Sequence, residues 1–124
     1  MNRYSAKIID HFMNPRYLGE LPRADAIAEA ANRCCGDRIR LFVRLRGRRI
    51  VESSFVAYGC AVALAVGSLL AEAIRGRDLE ELQKLDEEWV AQLAGGLAPA
   101  QRHCVTLGHD VLHALADNAK GEHP

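Results

Sequence analysis

One segment, Ala61 to Ile74, constrains the fold of this chain more than any other because almost every side chain in it is apolar. Its only polar side chains are those of Ser68 and Glu72, so a helix formed here must bury most of its circumference. The segment is also too short to span a bilayer. The rest of the chain must therefore supply the elements that cover it.

Cys60 lies directly before this helix. The first N–H groups of a helix stabilise negative charge and favour the thiolate form of a neighbouring cysteine. Cysteine is also among the residue types most often buried in a core. On this segment alone, a reactive thiol and a structural core cysteine both remain open.

The residues before Cys60 predict an antiparallel sheet. From Arg38 to Arg46 apolar and arginine side chains alternate, which predicts a strand with Ile39, Leu41, Val43 and Leu45 in the core. Gly47-Arg48-Arg49 then predicts a three-residue hairpin loop. The return strand from Ile50 to Tyr58 is expected to place Val51, Phe55 and Ala57 in the core, with Glu52 opposite Arg44. The segment from Ala24 to Ala31 is predicted to be an edge strand.

Capping residues and chain breaks predict the remaining helices. Ser5 is expected to cap a helix that ends near Met13, and Asp78 to open a short helix with a capping-box pattern. A further short helix or a turn is expected over Glu87–Leu93. The last helix is expected to run from Arg102 to about Lys120, and the tail, residues 121–124, to fray.

Composition limits the class of protein. With 124 residues and 49% hydrophobic content, we expect a single domain, residues 1–124, with a real core. Sixteen basic and sixteen acidic residues cancel, which argues against nucleic acid or an anionic membrane as a partner. The arginines of the first strand are interpreted as a solvated sheet face. The first twelve residues lack the apolar core of a secretory signal, so a soluble, cytoplasmic protein is expected.

The cysteines suggest metal chemistry, because a reducing cytoplasm disfavours disulfides. Cys35, Cys60 and Cys104 each lie at the end of a predicted element, where distant segments can converge. Asp37 and His103 lie close to two of them and add an oxygen and a nitrogen donor. Three thiolates with a carboxylate or an imidazole suit tetrahedral zinc or the irons of a [2Fe–2S] cluster.

Four motifs occur in order along the chain: Tyr4 with the run from Asp10 to Gly19, then Cys35-Gly36-Asp37, Tyr58-Gly59-Cys60, and His103-Cys104. Together they resemble the U-type iron–sulfur cluster scaffolds, the IscU/NifU/SufU family. The resemblance implies an α+β fold, with a small antiparallel sheet of about three strands, helices packed on one face and the metal or cluster site at one end. It also implies that Cys35, Asp37, Cys60 and Cys104 are the ligands.

The function that the resemblance implies is a scaffold, a carrier rather than an enzyme. A [2Fe–2S] cluster would be assembled transiently from iron and the sulfur of a cysteine desulfurase, and then transferred to apo iron–sulfur acceptor proteins. Cys104 is a candidate persulfide acceptor, and His103 is expected to be a ligand or to support one. Two alternatives stay open: a zinc-dependent sulfurtransferase that accepts persulfide sulfur, as in the SufU branch, and a structural zinc domain. Purified protein could accordingly hold zinc.

Several residues depart from the family pattern or lie outside it. Scaffolds served by the dedicated Hsp70 chaperone carry Leu-Pro-Pro-Val-Lys before the last His-Cys, whereas residues 97–101 here read Leu-Ala-Pro-Ala-Gln, which argues against that partner. Cys34 is an extra thiol, interpreted as incidental. His11 is expected to be structural or exposed. His109 and His113, four residues apart on the last helix, have a spacing that can bind metal but are interpreted as surface histidines.

Overall fold

The computed structural model describes residues 4–32, 36–96 and 101–121, which form an α+β arrangement. A three-stranded antiparallel sheet has the order β1-β2-β3, with helices packed against it, as the sequence predicted. The elements in chain order are α1 (Ala6–Met13), β1 (Ala26–Ala31), β2 (Arg38–Arg46), β3 (Arg49–Tyr58), α2 (Ala61–Ala73), α3 (Leu79–Leu82), α4 (Glu87–Leu93) and α5 (Arg102–Gly121).

The central strand β2 follows the predicted alternation. Ile39, Leu41 and Val43 are fully buried, while Arg38 is exposed and Arg40 is half-buried. The edge strand β1 pairs with β2 along its whole length, Ala26–Ala31. It begins two residues later than predicted and ends at the predicted residue. Binary patterning therefore predicted these three core positions of β2 correctly, whereas Leu45 is only partly buried and Phe42, on the opposite face, is buried as well.

The β2–β3 hairpin corrects one prediction. Arg46 pairs with Arg49, so the loop contains two residues, Gly47 and Arg48, and not three. The shorter loop is the commonest length for a hairpin. It leaves the return strand one residue longer than expected.

A second correction concerns Val51, which was expected in the core but is 42% exposed. The ladder shifts between Arg44, which faces Glu52, and Leu45, which faces Ile50. Val51 is therefore the extra residue of a β-bulge, and Ile50 takes its place in the core. Further along, the expected register returns: Phe55 is fully buried and Ala57 packs against the core. The predicted pair of Arg44 and Glu52 is present, with 3.0 Å between Nη1 and Oε1.

Helix α2 is buried as its composition requires, and it packs directly on β3. Gly67 makes this possible, because a Cβ there would lie 2.5 Å from the Phe55 ring. The buried hydroxyl of Ser53 donates to the carbonyl of Ala71 and ties the strand to the helix. Helix α5 covers the other part of the same face, against β1 and β2.

The buried hydroxyl of Ser68 joins α2 to α1. Its Oγ lies 2.7 Å from His11 Nδ1 and accepts the N–H of Arg16 at 2.8 Å. His11 is 4% exposed, which confirms a structural position for this residue. Burial, together with the Arg16 guanidinium, lowers the pKa of His11 below its ordinary value of 6.5, and Glu72 offsets this only in part.

The predicted helix boundaries hold closely. Ser5 caps α1 by accepting the N–H of Ile8, and Asp78 forms the expected capping box with Glu81. Among the residues the structure describes, none of the helices is both long and apolar enough to cross a membrane. The predicted fraying concerns residues 121–124, of which 122–124 lie outside the described residues.

Candidate metal centre

The topology of the hairpin brings two distant parts of the sequence together. Arg38, the first residue of β2, pairs with Tyr58, the last residue of β3. Asp37 therefore lies beside Gly59 and Cys60, which lead into α2. The start of α5 reaches the same end of the sheet and adds His103 and Cys104.

The side chains of Asp37, Cys60, His103 and Cys104 each offer one ligand atom, and these four atoms lie within 4.8 Å of one another. The two sulfurs are 3.8 Å apart. Asp37 Oδ2 lies 3.4 Å from Cys60 Sγ, 3.9 Å from Cys104 Sγ and 3.2 Å from His103 Nε2. One carboxylate oxygen is thus close to all three of the other donors.

The other oxygen of Asp37 holds this carboxylate in place. Oδ1 accepts the backbone N–H of Cys60 at 2.9 Å, which satisfies a side chain that is only 2% exposed. Gly59 leaves the space for it: a Cβ at residue 59 would lie 2.0 Å from Oδ1 and 2.9 Å from the Asp37 Cα. Gly59 also has φ +114°, which side-chain-bearing residues rarely adopt.

Cys60 occupies the predicted position at the start of α2. It is the N-cap residue, and its sulfur accepts the N–H of Ala63 at 3.4 Å. Cys60 is exposed, whereas Cys104, in the first turn of α5, is fully buried. The two thiols of one centre therefore differ in their access to solvent.

Four of the five predicted site residues converge in this way: Asp37, Cys60, His103 and Cys104. The fifth, Cys35, lies outside the described residues, as do Cys34 and residues 97–100 of the chaperone-motif region. The sequence reasoning did not identify the role of Gly59. Its place between a strand end and a cysteine was the available signal, because a glycine there permits close approach of another segment.

The chemistry of the donor set favours a cation. Two thiols, a carboxylate and an imidazole match the ligands of tetrahedral zinc and those of iron in iron–sulfur proteins. An open cavity of about 300 Å³ adjoins the centre and is lined by His103, Thr106 and Asp110, among other residues. Of the four residues of the centre, His103 is the one that lines this cavity.

The model of the NifU-like N terminal domain family matches residues 3–122. The iron–sulfur cluster assembly scaffold protein IscU 1 of Archaeoglobus fulgidus is 37% identical over 115 residues, which cover 92% of this chain and 75% of that protein. The scaffold protein IscU of Azotobacter vinelandii is 35% identical over 121 residues, which cover 94% of each.

A solved structure supports the fold independently. It is that of a protein from Fervidobacterium islandicum that is named as a putative iron–sulfur cluster assembly scaffold for the SUF system, and it is 23% identical to this chain. The two superpose with a TM-score of 0.74 over 91% of this chain and 96% of the other. At that level of identity, the likeness concerns the fold alone.

Proposed function

The chain belongs to the family of NifU-like N-terminal domains, and from this membership we propose that it is a scaffold on which an iron–sulfur cluster is assembled and from which the cluster is passed on. The observation that carries the proposal is the convergence of Asp37, Cys60, His103 and Cys104 within 4.8 Å. These residues come from three separate segments of the chain. A scaffold in this sense binds its cargo and releases it without turnover of its own.

The cargo is proposed to be a [2Fe–2S] cluster, which needs four terminal protein ligands. The resemblance to the scaffold family implies that these four ligands are Cys35, Asp37, Cys60 and Cys104. Three of these have donor atoms at the described centre, and Cys35 precedes Asp37 by two residues. His103, 3.2 Å from Asp37 Oδ2, either replaces one ligand or orients the carboxylate.

Sulfur is proposed to arrive as a persulfide on a cysteine desulfurase. A thiolate of the scaffold attacks the outer sulfur, the new S–S bond forms while the S–S bond of the desulfurase persulfide breaks, and the desulfurase cysteine leaves as a thiolate. Two electrons from a reductant, such as a thiol or a reduced ferredoxin, then convert each transferred sulfur to the sulfide of the cluster. Cys104 is the proposed final acceptor. Because Cys104 is buried and the exposed Cys60 sulfur is 3.8 Å away, we propose that Cys60 receives the sulfur first and passes it on.

Release is the second requirement of a scaffold. A carboxylate is a harder ligand than a thiolate and holds iron–sulfur iron less strongly. Asp37 is therefore the ligand that we propose an acceptor protein displaces. The exposure of Cys60 gives the incoming acceptor thiol access to the same side of the centre. Such thiol chemistry requires a reducing compartment, which agrees with the cytoplasmic location expected from the sequence.

Anaerobic reconstitution tests the proposal. The protein is incubated with ferrous iron, cysteine, a reductant and a desulfurase, and cluster formation is followed by visible absorption and circular dichroism. An apo-ferredoxin is then added as acceptor. We expect a cluster that forms and moves to the ferredoxin, and we expect Cys60→Ser and Cys104→Ser to prevent its formation. Formation and transfer that survive both substitutions would show that the site assignment is wrong.

A zinc-dependent sulfurtransferase is the second candidate. One observation is compatible with it: the four described donor atoms, which lie within 4.8 Å of one another, equal in number the ligands that a single zinc ion takes. In that case the protein retains zinc through the reconstitution, forms no cluster and stimulates the desulfurase. A purely structural zinc domain would instead unfold on zinc removal and show no sulfur chemistry.

A further inference from the structure

The two described cysteines of the candidate metal centre form a close pair. Cys60 Sγ and Cys104 Sγ are 3.8 Å apart, which is near van der Waals contact for two sulfur atoms. They belong to the starts of two different helices, α2 and α5. Their exposure differs, because Cys60 is exposed and Cys104 is fully buried. A reagent from solvent can therefore reach one sulfur of the pair and not the other.

This combination is typical of redox-sensitive cysteine pairs. In such pairs an accessible cysteine is oxidised first to a sulfenic acid. A second thiol beside it then converts the sulfenic acid to a disulfide, which prevents further, irreversible oxidation. Cys60 has the exposure that the first role needs, and Cys104 has the proximity that the second role needs.

We propose that Cys60 and Cys104 form a peroxide-sensitive switch, in which a reversible disulfide between them prevents the centre from binding metal. In the first step the Cys60 sulfur attacks one oxygen of hydrogen peroxide, the O–O bond breaks, and Cys60 sulfenic acid and water form. In the second step the Cys104 sulfur attacks the Cys60 sulfur, the S–S bond forms, and the hydroxyl group leaves with the thiol proton as water. The two thiols together lose two electrons, and one peroxide is reduced to two waters. A thiol reductant reverses the reaction by thiol–disulfide exchange.

The surroundings of the pair can accommodate this bond. The two sulfurs must approach from 3.8 Å to about 2.05 Å, and rotation of both side chains about their Cα–Cβ bonds shortens the distance. Oxidation removes the thiol protons near Asp37 Oδ2. The carboxylate still has the backbone N–H of Cys60, 2.9 Å from Oδ1, and His103 Nε2, 3.2 Å from Oδ2. Both oxygens of this buried carboxylate therefore retain a partner.

The disulfide and a metal ion compete for the same two sulfur atoms. Metal binding requires thiolates, so oxidation removes two of the four converging donors. A metal ion bound to both sulfurs, in turn, keeps them from bonding to each other. The effect of the switch on cluster assembly rests on the proposed function, whereas the oxidation itself and its effect on zinc binding do not.

Peptide mapping tests the linkage directly. Reduced, metal-free protein is treated with one equivalent of hydrogen peroxide, free thiols are alkylated, and a tryptic digest is analysed by mass spectrometry without reduction. Cleavage after lysine and arginine places Cys60, Cys104 and the Cys34-Cys35 pair on three different peptides, so the linked partners can be identified. We expect the Cys60 peptide to be joined to the Cys104 peptide. Linkage to Cys34 or Cys35 in its place, or no linkage, would overturn the proposal.

Substitutions separate the roles of the two sulfurs. Cys104→Ser should stop at the sulfenic acid of Cys60, which a dimedone probe labels, because the second thiol is absent. Cys60→Ser should leave Cys104 unlabelled, because Cys104 is buried. Cys34→Ser is the matched control and should form the bond between Cys60 and Cys104 as the wild type does. Far-UV circular dichroism verifies that every variant is folded. Labelling of Cys104 in Cys60→Ser at the rate of Cys60 in the wild type would contradict the assigned order.

Zinc binding measures the consequence of oxidation separately from cluster assembly. We expect the oxidised wild type to lose more than about 100-fold in Zn²⁺ affinity, beyond the range for loss of an outer-shell partner, and to regain it after treatment with dithiothreitol. Zn²⁺ added before the peroxide should suppress the disulfide. Unchanged Zn²⁺ affinity in the oxidised protein would overturn the switch.

The same samples distinguish failure of the switch from failure of the proposed function. Reduced protein that assembles and transfers a cluster, but forms no disulfide between Cys60 and Cys104, would refute the switch alone. Reduced protein that assembles no cluster, but binds Zn²⁺ and loses it on oxidation, would refute the scaffold function and support the switch.

Discussion

Helix α2 contributes to two polar clusters, and the contrast between them separates a binding site from a structural contact. The first cluster surrounds Cys60 at the start of the helix, and the second surrounds Ser68, two turns later. Both bring together polar side chains from segments far apart in the sequence. Each contains a histidine and a carboxylate, so these two residue types do not distinguish them, although only the first cluster contains thiols.

The difference lies in where the polar atoms are directed. At Cys60, two sulfurs, an oxygen and a nitrogen converge on a common region, and one thiol is exposed. At Ser68, donors and acceptors pair with one another: the hydroxyl is hydrogen-bonded to His11 Nδ1 and accepts the N–H of Arg16. Convergent donor atoms are suited to a cation, whereas paired ones are suited to holding two elements together. The first cluster should therefore control metal affinity and the second should control stability.

The largest effect is expected at Gly59. In Gly59→Ala the new Cβ would collide with Asp37, whose Oδ1 it would approach to 2.0 Å, so the carboxylate must leave the centre. We expect affinity for Zn²⁺ or Co²⁺ at this centre to fall by about 100-fold, at the upper end of outer-shell effects. Competition with a chromophoric chelator measures the change.

Gly19→Ala is the matched control for Gly59→Ala. Gly19 also has a positive φ outside the left-handed helical region, +128°, but nothing lies within 4 Å of its added Cβ. The control should carry a comparable backbone penalty, of roughly 1–3 kcal/mol, while leaving metal affinity unchanged. An equal loss of affinity in both variants would mean that general destabilisation, and not the position of Asp37, causes the effect.

Ser68→Ala should have the opposite profile. The substitution leaves His11 Nδ1 and the Arg16 N–H without their present partner in a buried place. We expect the free energy of unfolding to fall by about 1–2 kcal/mol, with metal affinity unchanged. Chemical denaturation of the apo protein measures this. Ser54→Ala serves as the control, because the buried Ser54 hydroxyl has no hydrogen-bond partner among the described residues, and its loss should cost little.

The same contrast explains what the sequence could and could not predict. Alternation along β2 and the composition of α2 specify one buried face and one buried helix, and hairpin pairing then places Asp37 beside Cys60. The bulge at Val51 was not predictable from the sequence. One extra residue changes which side of the sheet Ile50 and Val51 face, and two adjacent apolar residues do not indicate which of them is buried. The contact between His11 and Ser68 was also missed, since it joins residues 57 apart that no local periodicity connects.

Acid should destabilise the Ser68 cluster. Because the pKa of His11 is lowered in the folded protein, protonation favours the unfolded chain. The contribution of His11 to stability is therefore complete above its ordinary pKa of 6.5 and is lost as the pH falls towards the lowered value. One proton changes the unfolding free energy by at most about 1.4 kcal/mol per pH unit. Denaturation of wild type and His11→Gln across this range should show a shallower dependence in the variant; identical curves would exclude this role for His11.

Glu72 provides the smallest and sharpest test. Its carboxylate oxygen lies 3.6 Å from His11 Nε2, and its side chain is 51% exposed, so the pair adds less than about 1 kcal/mol. Glu72 nevertheless raises the pKa of His11, against the effects of burial and Arg16. In Glu72→Gln the imidazolium loses that support, so the pKa of His11 should fall further and acid destabilisation should reach to lower pH. Titration of the His11 ring by NMR in wild type and variant measures the shift. A pKa that rises instead would mean that the paired hydrogen bonds of this cluster, rather than its nearby charges, determine when His11 takes up its proton.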